Sequence, residues 1–378
     1  MPKSFSRLFQ PEEVPKGRFV FIDGLRAIAA LLVMNHHFFF SELQAPLESI
    51  FPSVVKTMLS YGVDGVQIFF VISGFVIAHS LRHTVVTAFS AGNFIVRRQI
   101  RLDPAYWFCV IGSSLLIFGR SRVHPVYLTS LPSLKTVLLN MTYLQLLDHA
   151  EVMLPVSWTL CLEVQFYLVY ILILFLVQRM AARAPGQPHR RALCMAILLF
   201  PLLAFSLRRH VLWHLEGPLF IETWYLFALG VFAAWTIDLL MPAPVLFAAV
   251  ALALSANFRG LDHRVIAGCV TTAAIYAASI SGGLCTWLGN RVVQYLGRLS
   301  YCIYLVHWDL GKSVLRFGIR LTGMSKWPAF GWFIAANLVC IAAAHLLHVA
   351  IERPSMAFAS RFKDRTYSSG APAAGPLN

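Results

Sequence analysis

Charge is scarce in this chain. Asp, Glu, Lys and Arg make up 13% of its 378 residues, about half the share of an ordinary soluble domain. Long apolar runs joined by short basic loops exclude a soluble fold with one large core. Acids are scarcer than bases, 17 against 31, and the net charge is +14. In so apolar a chain the excess sits in loops, where it reports orientation first and an anionic partner second. No nucleic-acid partner is expected. Paired cysteines are missing too. Six of the seven (Cys109, Cys161, Cys194, Cys269, Cys302 and Cys340) lie inside apolar runs with no CxxC spacing. They read as small core residues rather than as disulfides or metal ligands, so no metal is expected. No internal repeat is visible. No cleavable leader is expected, because residues 1–18 are polar and basic and no small-residue cleavage site follows the first run.

What is there is apolar length. Hydrophobic residues make up 58% of the chain, and mean hydropathy is +0.68. Runs long enough to span a bilayer, or nearly so, fall at about 19–40, 60–82, 104–119, 156–178, 191–207, 217–237, 244–257, 264–281, 295–318 and 329–350. A further run at 136–147 is too short to cross. Basic loops decide the topology. Ten spans with both termini cytoplasmic put Lys3, Arg7, Lys16 and Arg18 inside. They do the same for Arg82 with Arg97, Arg98 and Arg101, and for the 179–191 cluster. Arg291, Arg298 and the tail's Arg353, Arg361, Lys363 and Arg365 also fall inside. Arg120/Arg122 and Arg208/Arg209 are the clusters left over. An eleventh span would move the 179–191 cluster outside. The expectation is therefore an all-α polytopic membrane protein of about ten spans, with a short re-entrant or interfacial helix near 136–147. Residues 1–18 are a cytoplasmic segment, 19–355 the membrane domain and 356–378 a disordered cytoplasmic tail rich in Ala, Pro and Gly after Ser368. The Asn140-Met-Thr142 sequon carries little weight.

Four stretches carry chemistry. Asp23–His37, DGLRAIAALLVMNHH, has Asp23 and Arg26 at one end and His36 with His37 at the other, roughly 21 Å apart at helical rise. Ionisable groups within a span are costly, about 3 kcal/mol or more each, and are functional candidates by default. Two successive His point about 100° apart, so at most one faces a bundle interior squarely. An imidazole there reads as a general base, or as a packed core His. In RRQIRLDPAYW, Arg98 and Arg101 share a helix face, and guanidinium forks bind phosphate bidentately. The competing reading is a positive-inside anchor, with Pro104 at a helix start and Tyr106 and Trp107 as belt aromatics. In SWTLCLEVQFYL, Glu163 lies among apolar residues with Trp158 and Tyr167 nearby. It falls at the depth of His37, or is satisfied by a buried Arg such as Arg26, or faces water. In LGRLSYCIYLVHWDL, Ser300, Tyr301, Tyr304 and His307 share one span, as tunnel polar groups or as a hydrogen-bond hub. GVQIFFVISGFVI reads as small-residue packing, with Gln67 its polar inward candidate.

Together these blocks resemble the acyltransferase 3 family of integral membrane acyltransferases. The pattern is an Arg-containing first span ending in His, a GV-D-FFV-SGF span, an RR-x-x-R-x-x-P-x-Y loop, a W-[ST]-L-x-x-E-x-x-F-Y span and a late S-Y-x-I-Y-L-x-H span. Here these are Arg26 with His37, Gly65–Phe75, Arg97–Tyr106, Trp158–Tyr167 and Ser300–His307. Each motif alone is weak; five in order, covering about 18–355, are strong. Gln67 departs from the family, which often has Asp there. The spacing from Arg26 favours His37 over His36 as the family's His.

The resemblance implies a stand-alone, acyl-CoA-dependent O-acetyltransferase of the bacterial inner membrane, acting on a carbohydrate or lipid-linked sugar. Arg98 and Arg101, supported by Arg97, hold the phosphates of acetyl-CoA. His37 deprotonates the acceptor hydroxyl, directly or after taking the acyl group itself, and Glu163 orients or charge-stabilises His37 as a carboxylate does in a triad. Asp23, Arg26, His36, Trp158, Tyr167, Tyr301, Tyr304 and His307 are supporting or substrate residues. The acceptor approaches near 120–155 and 208–225, where Trp213, Trp224 and Tyr225 stack on a sugar or belong to an interfacial belt. The competing class is a transporter or flippase for an anionic substrate.

Overall fold

Small residues set how the helices meet. A Cβ added to Gly74 would collide with the Phe227 carbonyl, and one on Gly230 with the Val71 carbonyl. Glycine is needed at both positions for the two backbones to approach this closely. A computed structural model describes residues 19–123, 132–183, 190–213 and 219–362. The N-terminal basic residues, and Lys363 and Arg365 in the tail, lie outside the described residues, as do the side chains of Arg120, Arg122 and Trp213. Every regular element described is helical.

The helices are α1 (Val20–Phe39), α2 (Gln44–Glu48), α3 (Ser53–Ser60), α4 (Gly65–Leu81) and α5 (Ala88–Val123). They continue with α6 (Leu134–Met141), α7 (Trp158–Ala182), α8 (Arg190–Trp213), α9 (Trp224–Ile237) and α10 (Ala243–Ser255). The last are α11 (His263–Ile280), α12 (Arg291–Val306), α13 (Lys312–Thr322), α14 (Lys326–Leu347) and α15 (Arg353–Ala359). A π turn at His307–Gly311 joins α12 to α13, and another at His348–Glu352 joins α14 to α15.

Helix α1 is central. It packs on α12, α4 and α3, with Ala27, Ala29, Ala30, Val33 and Met34 buried. Phe19, just before α1, stacks edge-on against His79 near the end of α4, so the two run antiparallel. The Asp23 backbone sits against Gly297 near the start of α12, so those two run parallel. His37 therefore rises to the same end as His307.

Among the described residues, six helical stretches are long and apolar enough to cross a membrane: Ser53–Leu81, Ala88–Gly119, Pro155–Ala182, Arg190–His210, His263–Ile280 and Lys326–Phe362. Trp224–Ile237 and Ala243–Phe258 are shorter apolar helices. The ten runs read from the sequence include these and two more, α1 and α12. Those two carry Asp23, Arg26, His36 and His37, and Arg291, Gln294 and Arg298, so composition alone does not mark them.

Three local expectations change. Pro104 lies inside α5 rather than at a helix start. A proline removes only one intrahelical hydrogen bond and bends a helix without ending it when neighbours support both sides. Arg97, Arg98 and Arg101 are therefore on a continuous helix, not a loop. The run at 136–147 stops being helical at Met141, and Tyr143 and His149 take left-handed backbone (φ 62° and 52°). Buried Asn140 fixes this turn: its amide donates to the Glu151 carbonyl and accepts from the Met153 N–H, 2.9 and 3.0 Å. The sequon asparagine is thus structural. At the tail, helical structure continues past residue 355, through α15 to Phe362.

Candidate active site

Arg26, Arg98 and Arg101 face one cavity of about 110 Å³, with Ser73, Glu163 and Tyr304 also on its wall. Arg26 comes from α1, the other two guanidinium groups from α5, Glu163 from α7 and Tyr304 from α12. Arg98 and Arg101, one turn apart, present the same face, as their spacing predicts.

Glu163 pairs with Arg98. Arg98 Nη2 donates to Glu163 Oε1 at 3.0 Å, and Ser73 Oγ donates to the same oxygen at 2.5 Å. The Tyr167 hydroxyl bonds both Glu163 and Arg98, and the Arg98 guanidinium lies 4.6 Å from the Tyr167 ring centre. Glu163 is therefore the counter-charge of Arg98 and not the orienting partner of His37. The physical reason is its place on α7: the face that carries Glu163 and Tyr167 meets α4 at Ser73 and α5 at Arg98. Arg26 Nε donates to Ser300 Oγ (3.2 Å). Among the described residues, the buried Nε atoms of both Arg98 and Arg101 have no hydrogen-bond partner, an unusual state for a buried donor. The cavity thus gathers three guanidinium groups against one carboxylate, with donors left to offer. That is what an anion bearing several oxygens would satisfy. Arg97 is not on its wall; its Nε donates weakly to the Asn93 carbonyl, 3.4 Å.

The cavity climbs α12. The Tyr304 hydroxyl pairs with Thr159 Oγ1 (3.0 Å), and His307 lies one turn beyond. There Nδ1 of His37 is 3.1 Å from Nε2 of His307, with the rings stacked 5.2 Å apart. Arg26 and His37 are eleven residues apart on α1, about 16 Å, and the cavity wall reaches Tyr304 without including His37 or His307. Trp308 meets His37 edge-on at 4.9 Å, and Lys312 Nζ sits 3.4 Å above the Trp308 ring. His36 turns the other way, with Nδ1 2.8 Å from the Leu59 carbonyl. The two successive His do divide between different neighbours.

The remaining sequence candidates make these contacts, and Tyr301 also lines the arginine cavity. The Tyr301 hydroxyl donates to the Leu102 carbonyl (2.9 Å) and Trp158 packs edge-on against Phe70. Asp23 packs its backbone on α12. Buried Gln67 lies in the first turn of α4. Trp224 and Tyr225 are fully buried, so neither offers a face to a sugar. Sequence reasoning passed over Ser73, Thr159, Trp308, Lys312 and Glu352. Glu352 Oε2 accepts from His348 Nδ1 (2.7 Å) and Cys302 Sγ (3.1 Å). These three side chains are close enough to hold a metal ion. The carboxylate is already engaged by two protein donors. Its signal in the sequence was the His348/Glu352 i, i+4 pair.

A buried guanidinium cluster and an imidazole pair thus share α1 in a largely apolar, membrane-type helical frame. The chain belongs to the acyltransferase 3 family, whose model, described as an acyltransferase domain, matches residues 19–349. It is 27% identical over 384 residues to acyltransferase MdmB of Streptomyces mycarofaciens, covering 90% of this chain and 92% of that one. It is 25% identical over 403 residues to the "Putative membrane-bound transacylase BcsY" of Komagataeibacter xylinus, covering 98% and 91%. No solved structure matches the chain. The protein is a membrane acyltransferase.

Proposed function

We propose that the protein transfers an acetyl group from cytoplasmic acetyl-CoA to a hydroxyl of a carbohydrate, such as an exopolysaccharide or a lipid-linked oligosaccharide, in the bacterial inner membrane. Both termini face the cytoplasm, as the basic loops require. The observation that carries the proposal is the group of three guanidinium side chains on one buried cavity wall, with His37 about three turns from Arg26 on the same helix.

Arg26, Arg98 and Arg101 hold the donor's anionic end, and the thioester arm lies along the Tyr304 wall toward His37. His37 takes the proton of the acceptor hydroxyl. The freed oxygen bonds the thioester carbonyl carbon, the carbon–sulfur bond breaks, and the CoA sulfur leaves with a proton. Holding donor and acceptor together lowers the barrier by removing the entropic cost of encounter. Glu163 acts on the donor side, by fixing Arg98.

The test is acetyl transfer by purified wild type and His37→Ala, with a panel of polysaccharide acceptors. Wild type is expected to turn over, and His37→Ala to bind acetyl-CoA without turnover. Failure of both proteins to bind acetyl-CoA would overturn the proposal and bring forward a transporter of anionic substrates.

A further inference from the structure

We infer that His307 is the positioning residue of the imidazole pair: it fixes the proton of His37 on Nδ1 and leaves Nε2 as the nitrogen with the free lone pair. The inference rests on the proposed role of His37 as base only for its catalytic consequence.

The argument starts at the far side of His307. Its Nδ1 lies 2.9 Å from the Tyr304 carbonyl and 3.2 Å from the Ile303 carbonyl. Carbonyl oxygens only accept, so Nδ1 of His307 carries hydrogen. His307 is fully buried, and no carboxylate pairs with it among the described residues, so nothing there supplies a counter-charge for an imidazolium. A neutral imidazole has one N–H. Nε2 of His307 is therefore an acceptor, and it faces Nδ1 of His37 at 3.1 Å. Two lone pairs do not face each other at that distance, so His37 donates. Its own single hydrogen is then on Nδ1, and Nε2 is unprotonated.

The backbone supports this. His307 opens the π turn that ends α12, and such a turn breaks the four-residue ladder, frequently at functional sites. The Ile303 carbonyl also accepts the His307 backbone N–H, so the Tyr304 carbonyl, at 2.9 Å, is the ring's nearer partner. The arrangement does what a carboxylate does in a Ser-His-Asp triad, where the third member holds the tautomer and orientation. Here the third member is an imidazole anchored on backbone, and no buried negative charge is needed. When His37 takes a proton, its Nδ1–H bond to His307 becomes charge-assisted and strengthens.

The experiment uses detergent-purified full-length protein labelled with [15N]histidine, with His37→Ala and His36→Ala to assign signals. The expected spectrum shows His37 as the Nδ1–H tautomer without any substrate. His307→Leu is expected to lose that fixed tautomer and to lower kcat about 100-fold or more, on the precedent of removing the orienting member of a triad, while KM for acetyl-CoA stays within about 3-fold. His307→Gln offers an amide oxygen to His37 and an NH2 to the carbonyls. It is expected to keep the tautomer and stay within about 10-fold of wild type, which a purely space-filling role for His307 does not predict. An Nε2–H His37 in wild type overturns the inference. So does a His307→Leu protein with unchanged tautomer and kcat, or a folded His307→Gln as impaired as His307→Leu. A wild type with the Nδ1–H tautomer and no acetyl transfer upholds the inference and sinks the proposed function, so the two fail separately.

Discussion

Arg98 and Glu163 meet at 3.0 Å between α5 and α7, although the sequence assigns one to a phosphate site and the other to a catalytic triad. Removing one partner of a buried pair leaves the other uncompensated, which costs about 3–5 kcal/mol. Glu163→Gln is expected to lower the thermal midpoint in detergent by several degrees. Arg98→Ala with Glu163→Ala is expected to be less destabilised than the sum of the single changes, the signature of direct coupling. An additive double variant would mean that the pair contributes nothing.

Arg101 and Arg97 separate a binding role from an anchoring one. Arg101 lines the cavity and Arg97 does not. Hydrogen bonds to charged groups contribute about 1.5–3 kcal/mol. Arg101→Ala is accordingly expected to raise the Kd for acetyl-CoA by about 10-fold or more, and Arg97→Ala to change it by less than about 3-fold. Titration calorimetry on purified protein decides it; equal effects would reduce the cluster to a topology signal.

Gly74→Ala is expected to be one of the most damaging single-methyl changes. The new Cβ meets the Phe227 backbone, which has no rotamer to yield. Overpacking costs about 1–3 kcal/mol, here at the upper end. Gly331→Ala, where nothing lies within reach of the Cβ, is the control and is expected to be neutral in the same thermal assay.

Asp262 caps α11 and its carboxylate lies 2.7 Å from Nε2 of His210. Burial pushes the Asp262 carboxyl up, and the His210 hydrogen bond and charge outweigh it, holding it down at about 2. The unfolded value is about 3.9. A folded value below the unfolded one contributes stability that is complete above about pH 4 and is lost as pH falls from there through 2. Asp262→Asn is therefore expected to unfold at a lower temperature than wild type at pH 6, with the gap closing toward pH 2–3. A gap that stays constant over that range would rule out the linkage.

The sequence carries the helical periods, the arginine spacing on α5 and the division between His36 and His37, because these depend on neighbours three or four residues away. It does not carry partners. Glu163 has an acceptable partner in either Arg26 or Arg98, and only the crossing of α5 and α7 decides between them. His307 pairs with His37 across 270 positions through a π turn that no period announces. Trp224 and Tyr225 look like belt aromatics by type, yet α9 is buried almost throughout, because α4, α8, α10 and α11 all pack on it. Pro104 looks like a boundary because proline usually is one; α6 and α15 pack beside α5 and support it.

The glycine seam between α4 and α9 is also a closed wall. Two backbones that exclude a methyl group at Gly74 and Gly230 exclude an alkyl chain more firmly still. A lipid tail cannot slip sideways between those two helices. On the proposed function an acceptor must reach His37 by another flank, and the same wall stands beside Ser73, the residue before Gly74 on α4.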